Sequence, residues 1–293
     1  MSTKPAAARN RNRLAALWGT QSLRRITQFG FLAMIVAGVV RHTLSEDSTS
    51  PEAVCPFGGL ETLYSYFTTG GTISHTHLSN LVLLGAVVLL TLLARGAFCG
   101  WICPFGTIQE WVNSLSRWLQ ARIKPLGRAA RALRRAARRP IFGTIDRVLS
   151  YGRYVVLATI IGGTVAYGSM VFRDYDPWSA LISVAEFELT AGAVILGVVL
   201  LASLVVERPW CRYACPLGAT IGLVGRLSPM RIQREDSACT GCTLCTHRCP
   251  MGIDVAASSE ITDMRCISCL QCVDSCVHPE ALDLRLSIPL TTK

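Results

Sequence analysis

Charge is scarce in this chain. Asp, Glu, Lys and Arg make up 16% of 293 residues, against roughly a quarter in soluble proteins. That scarcity, with 51% hydrophobic residues, excludes a disordered or collagen-like chain and argues against an ordinary soluble enzyme. Nucleotide and haem signatures are missing too: there is no G-x-G-x-x-G, Walker loop, catalytic triad or C-x-x-C-H word, so neither cofactor is demanded. Acids are absent from residues 1–25, and Lys and Arg are absent from residues 42–77. What is there is a mean hydropathy of +0.38, a formal charge of +10 and 13 cysteines. An odd cysteine count in a chain this long points to metal rather than to a disulfide scaffold.

Four apolar stretches, Ile26–Val40, Leu78–Leu93, Tyr154–Phe172 and Leu189–Val206, predict four transmembrane helices. The alternative is buried core helices of a soluble protein. Charge placement favours the membrane. Lys4, Arg9, Arg11, Arg13, Arg24 and Arg25 precede the first stretch, and Arg122, Lys124, Arg128, Arg131, Arg134, Arg135, Arg138 and Arg139 separate the second from the third. By the positive-inside rule the N-terminus, the middle loop and the C-terminus are expected in the cytoplasm of a bacterial inner membrane. The basic runs then face lipid headgroups, and no nucleic-acid partner is expected. Arg24-Arg25 before an apolar run resembles a twin-arginine signal, but no A-x-A word follows closely, so a retained helix is expected.

The second and fourth stretches lead into similar words, Phe98-Cys99-Gly100-Trp101-Ile102-Cys103-Pro104-Phe105-Gly106 and Trp210-Cys211-Arg212-Tyr213-Ala214-Cys215-Pro216-Leu217-Gly218. This C-x3-C-P echo predicts two repeated helical hairpins. Cysteines at i and i+4 share a helix face, so Cys99, Cys103, Cys211 and Cys215 could converge on a soft metal or a further cluster. The competing reading is close helix packing by small residues. Trp111, Leu115, Trp118 and Leu119 recur at helical spacing, as in a helix lying on the inner membrane surface. In the outer loops Cys55-Pro56 is echoed by Asp176-Pro177, which makes Cys55 and Asp176 a candidate outer polar site. His75 and His77, with His42, lie at the expected membrane boundary. His75 and His77 are candidates for a quinone site, the alternative being ordinary interfacial histidines.

The C-terminal segment carries the strongest signal: Cys239-x2-Cys242-x2-Cys245-x3-Cys249-Pro250, then Cys266-x2-Cys269-x2-Cys272-x3-Cys276. This is the two-cluster bacterial ferredoxin spacing, in which three cysteines of each run and the fourth of the other bind one cluster. One [4Fe–4S] cluster is therefore assigned to Cys239, Cys242, Cys245 and Cys276, and a second to Cys266, Cys269, Cys272 and Cys249. Zinc ribbons also use paired C-x2-C, but they leave the third closely spaced cysteine of each run unexplained. The fold expected is an α-helical polytopic membrane protein with a C-terminal α+β two-cluster ferredoxin domain. Its parts are a basic tail (1–25), a membrane domain (26–228) and the ferredoxin domain (229–293).

The run LRRITQFGFLAMIVAGVV, the two C-x3-C-P words, VVERPWCRYACPLGATIGLVG and the double cysteine run together resemble the NapH type of membrane quinol dehydrogenase component. The wider group includes NosR-like polyferredoxin membrane proteins. The likeness covers Leu23 to about Asp283. It implies electron exchange between the quinone pool and a redox partner subunit through cytoplasmic [4Fe–4S] clusters, as in a quinol dehydrogenase subunit. The second function consistent with the same features is an assembly factor that reduces or delivers metal for another membrane oxidoreductase.

Overall fold

A computed structural model describes residues 19–44, 58–59, 63, 78–123, 125, 127–128, 140–167, 172, 175–183 and 190–286. Cys55, His75 and His77 lie outside the described residues, as do the tail before residue 19 and most of the middle basic run.

The described chain opens with α1 (Thr20–Leu44) and α2 (Leu78–Ala94), followed by a π-helical turn (Phe98–Ile102) and α3 (Pro104–Arg122). Then come α4 (Pro140–Ser150), α5 (Gly152–Tyr167), α6 (Pro177–Ser183) and α7 (Ala191–Ser203). Two short helices, α8 (Pro209–Tyr213) and α9 (Pro216–Val224), lead to strand β1 (Met230–Arg234). The cysteine-rich segment holds α10 (Leu244–His247) and α11 (Gln271–Asp274), and β2 (Leu282–Leu286) closes the described chain.

The expectation of four transmembrane helices in two repeated hairpins is not met. Among the described residues two helical segments are long and apolar enough to cross a bilayer, Thr20–Arg41 and, running through α4 and α5, Gly143–Ala166. Length is the physical reason. At 1.5 Å per residue a bilayer core of ~30 Å needs about 20 residues, whereas α2 has 17 and α7 has 13. Arg95, with φ of 54°, ends the second apolar stretch, and the fourth breaks at the turn after Ser203. Both long segments turn apolar side chains outward, Phe29, Met34 and Val36 on α1 and Val155, Ile161 and Val165 on α5, a surface suited to lipid rather than water.

What repeats in space is local. In both cysteine-proline words the second cysteine's N–H reaches back five residues, Cys103 to the Phe98 carbonyl and Cys215 to the Trp210 carbonyl, each at 2.9 Å. Proline forces the residue before it out of the helical region and is well placed as the first residue of a helix. Cys103 (φ −60°, ψ 113°) and Cys215 (φ −68°, ψ 114°) accordingly cap α3 and α9 in one conformation.

β1 and β2 pair antiparallel, from Met230 opposite Leu286 to Arg234 opposite Leu282. The two-stranded sheet packs on Met251, Ile253, Val255, Ile261 and Ile267, the core of the cysteine-rich end. That end is bolted to the membrane part. Gln21 of α1 donates to the Cys269 carbonyl (2.9 Å), Trp101 Nε1 donates to the Ser268 carbonyl (3.0 Å), and Arg95 donates to the carbonyls of Ile261 and Asp263. At Gly100 even one methyl group would collide with the Ile267 carbonyl, so only glycine permits this approach.

Candidate iron-sulfur sites and the cysteine tetrad

Each C-x2-C-x2-C loop bends twice through the left-handed region. In the first loop Gly241 (φ 69°) and Thr243 (φ 57°) do so, and in the second Ser268 (φ 49°) and Leu270 (φ 58°) take the equivalent places. Non-glycine residues pay for that conformation with strain, which gathers at functional sites. Here backbone N–H groups at the bends reach the cysteine sulfurs, Gly241 to Cys239, Ser268 to Cys266 and Gln271 to Cys269, donors that suit an anionic group such as an iron–sulfur cluster.

Two small cavities result. Cys239, Cys242, Cys245 and Cys276 line one, and Cys249, Cys266, Cys269 and Cys272 line the other. Each therefore draws three cysteines from one run and the fourth from the other run. The second lies against the membrane part and is termed proximal; the first is distal.

Their electrostatics differ. Burial pushes the proximal Cys269 thiol up to about 12 and Cys249 up to about 11. The distal Cys239 thiol is instead lowered, by the Gly241 N–H and by Arg234, whose Nη1 lies 3.5 Å from its Sγ. A buried thiol resists ionisation until a metal compensates the thiolate charge, so four-cysteine lining is a donor set that fits a soft iron–sulfur group.

The other four inner cysteines also meet. Cys99 sits in the π turn, Cys103 caps α3, Cys211 lies in α8 and Cys215 caps α9. Burial raises the Cys215 thiol well above its usual value, and Cys211, Cys99 and Cys103 raise it further, so the four thiols feel one another. Gln109 Nε2 donates to Cys211 Sγ (3.7 Å), and the Gly218 N–H donates to Cys215 Sγ (3.3 Å). Among the described residues no three His, Cys, Asp or Glu side chains form the shell of a single metal ion.

Cys103, Cys211 and Cys215 border an apolar chamber of about 170 Å³ between α1 and α6. Asp176 is in its wall, its carboxylate accepting the Trp178 N–H (3.0 Å) and pushed up to about 6 by burial. Its expected companion Cys55 lies outside the described residues.

A family profile described as a 4Fe-4S binding domain matches residues 76–124 and again 189–235, one around each C-x3-C-P word. A 4Fe-4S dicluster domain profile matches residues 231–277. The chain is 31% identical over 247 residues to the putative electron transport protein YccM of Escherichia coli, covering 83% of this chain and 65% of that protein. It is 29% identical over 272 residues to the ferredoxin-type protein NapH of Escherichia coli, covering 87% of this chain and 85% of NapH. The chain belongs to the NapH, YccM and NosR family. The regulatory protein NosR of Stutzerimonas stutzeri is 28% identical over 191 residues, which are 24% of its length. No solved structure matches. As a member of the NapH, YccM and NosR family the chain is an iron–sulfur electron-transfer protein of the membrane.

The sequence reading missed a buried polar hub. Glu110 of α3 pairs with Arg24 of α1 (2.6 Å) and with Arg208 (2.8 Å), and both arginines are buried. Burial raises the Glu110 carboxyl, but Arg208 and Arg24 outweigh it and hold the group below the usual carboxylate range. Arg24 and Gln28 also donate to the Gly100 carbonyl, and Arg208 to the Cys99 carbonyl (2.5 Å). From the proximal loop, Gln271 accepts from Arg24 Nη1 (3.0 Å). One signal was available: Glu110 is the only acid between Glu61 and Asp146, in a stretch rich in arginine.

Proposed function

We propose that this protein takes electrons from the quinol pool and passes them to a redox partner subunit through two [4Fe–4S] clusters. Cys249, Cys266, Cys269 and Cys272 would hold the proximal cluster, and Cys239, Cys242, Cys245 and Cys276 the distal one. When bound, these clusters supply one-electron transfer, and a quinol releases two electrons and two protons to become a quinone. The chain's own residues do the rest. Backbone N–H groups at the left-handed bends donate to the cysteine sulfurs, and the Glu110 hub fixes the proximal loop against α1. The exposed face of α3, with Trp111, Leu115 and Trp118, rests on lipid.

The single observation that carries this reading is packing: Cys99 and Cys211 lie against the core that contains Cys269 and Cys272. Chamber, tetrad, proximal cavity and distal cavity thus form one continuous series. In the same reading the tetrad holds a further soft metal or cluster between the chamber and the proximal cavity. The repeated match of one 4Fe-4S profile to both tetrad pairs supports that placement. The cysteine-rich end lies on the cytoplasmic side, where the basic residues collect and a reducing environment keeps thiols available.

Anaerobic purification followed by iron analysis and quinol addition tests the proposal. About eight irons for the two ferredoxin clusters, and bleaching of the cluster absorbance by a short-chain quinol, are expected. Stoichiometric zinc with little iron, or iron-loaded protein that quinol leaves oxidised while dithionite reduces it, would refute it.

A further inference from the structure

The apolar chamber has the properties of a ring-binding seat. At about 170 Å³ it is well below the roughly 300–1,000 Å³ of drug-sized sites. That excludes a nucleotide or a flavin and leaves room for one substituted six-membered ring. Phe31 and Met34 of α1 form part of the wall, and Met34 is also 58% exposed on the outward surface of this bilayer-crossing helix. The chamber therefore reaches the lipid-facing surface there, and a lipid-soluble molecule can enter without crossing water. Inside, Trp178 and Trp210 offer aromatic surface, and among the described residues Asp176 is the one carboxylate in the lining. A hydroquinone needs this combination, apolar faces for its ring and an acceptor for a hydroxyl. Cys103, Cys211 and Cys215 line the chamber, and Cys211 also packs against the core that holds Cys269 and Cys272.

We propose that the chamber between α1 and α6 seats the ring of a membrane quinol, with Asp176 accepting a hydrogen bond from one ring hydroxyl. The proposal rests on the quinol reading above and adds the place where the quinol sits. The ring lies between the tryptophans and its isoprenoid tail leaves past Met34 into the bilayer.

The test uses the full chain in proteoliposomes with a photoreactive azidoquinone and, separately, decylubiquinol. Illumination is expected to label residues 177–183 or 209–217 in the wild type. Met34→Trp, which fills the chamber mouth, should cut that labelling at least tenfold and raise the KM for decylubiquinol by a similar factor, while dithionite still reduces its clusters. Asp176→Asn keeps the helix cap and one acceptor oxygen, so a smaller rise, about threefold, is expected. Label confined to residues 70–77, around His75 and His77, or labelling unaltered in iron-replete Met34→Trp, would overturn the seat even where quinol still reduces the clusters. Label in the chamber without quinol-driven reduction would uphold the seat and refute the electron-transfer reading instead.

Discussion

Around Cys266 the cysteine loop is walled in by the first turn of α1, by Trp101 and by the carbonyl contact at Gly100. Around Cys239 the corresponding loop, with the same left-handed bends in the same places, faces solvent at Cys242. The backbone of each loop is built to receive a cluster, while the surroundings set its accessibility. In the proposed function a cluster in the walled loop exchanges electrons with the membrane side, and one in the open loop with a partner. Thiol electrostatics follow that division only at Cys239: burial drives up Cys269 in the walled loop and Cys245 in the open one, whereas Cys239 is lowered by Gly241 and Arg234.

The sharpest way to break this comparison is to remove one ligand from each loop. Cys269→Ala and Cys242→Ala should each remove about four irons per chain, one ferredoxin cluster. The Cys269 variant should also free the cysteine-rich end from the membrane part, seen as rapid tryptic cleavage after Arg265. Equal protease resistance in the two variants would show that the walls do not depend on the proximal loop.

Glu110→Gln comes next. It leaves Arg24 and Arg208 buried without their counter-charge, a change that typically costs about 3–5 kcal/mol. Hydrogen exchange should quicken at residues 266–274 and stay unchanged at residues 239–247. Uniform quickening would mean that the hub stabilises the whole domain rather than the proximal seat. Acid should act in the same direction. Because the folded Glu110 carboxyl is held below its ordinary range, its contribution is present at neutral pH and is lost as pH falls through that depressed value.

A smaller effect is expected of Gly100→Ala, whose methyl would meet the Ile267 carbonyl and cost about 1–3 kcal/mol by overpacking. Gly241→Ala has open space around it but a φ of 69°, so its cost should come from the backbone, about 1–2 kcal/mol. Equilibrium unfolding in denaturant should show both, and loosened docking should accompany the first alone. Smallest of all is Thr243→Gly, which relieves the left-handed residue of the open loop and should change stability by no more than about 1 kcal/mol. Leu270→Gly should fail to match it, since Leu270 packs against the core beside the proximal loop.

Sequence alone revealed the cysteine runs because their information is local: ligand spacing and loop bends lie within a few residues of one another. Spans were harder. Hydropathy registers apolar length but not where a helix stops, so α2 and α7 looked long enough until the break at Arg95 and the turn after Ser203 were seen. Arg24 reads as one more tail charge, yet it is buried, and its partner Glu110 lies 86 residues away. Pairings at that range leave little local trace, and the isolation of Glu110 among arginines was the one hint. Asp176 borders the chamber shared with Cys103 and Cys215, a neighbourhood that only the packing of α6 reveals, while Cys55, its expected companion, lies outside the described residues.

Gln21 occupies the first turn of a helix long and apolar enough to cross the bilayer, and it grips the cysteine-rich end at the Cys269 carbonyl and at Asp274. A domain clamped in this way is no swinging arm. It cannot carry charge by travelling between two stations, as a tethered shuttle does. In the proposed function the carrier is then a fixed post, and the diffusing parties are the quinol on one side and the redox partner at the open loop on the other. Turnover should then scale with partner concentration and be indifferent to the viscosity that slows domain motion.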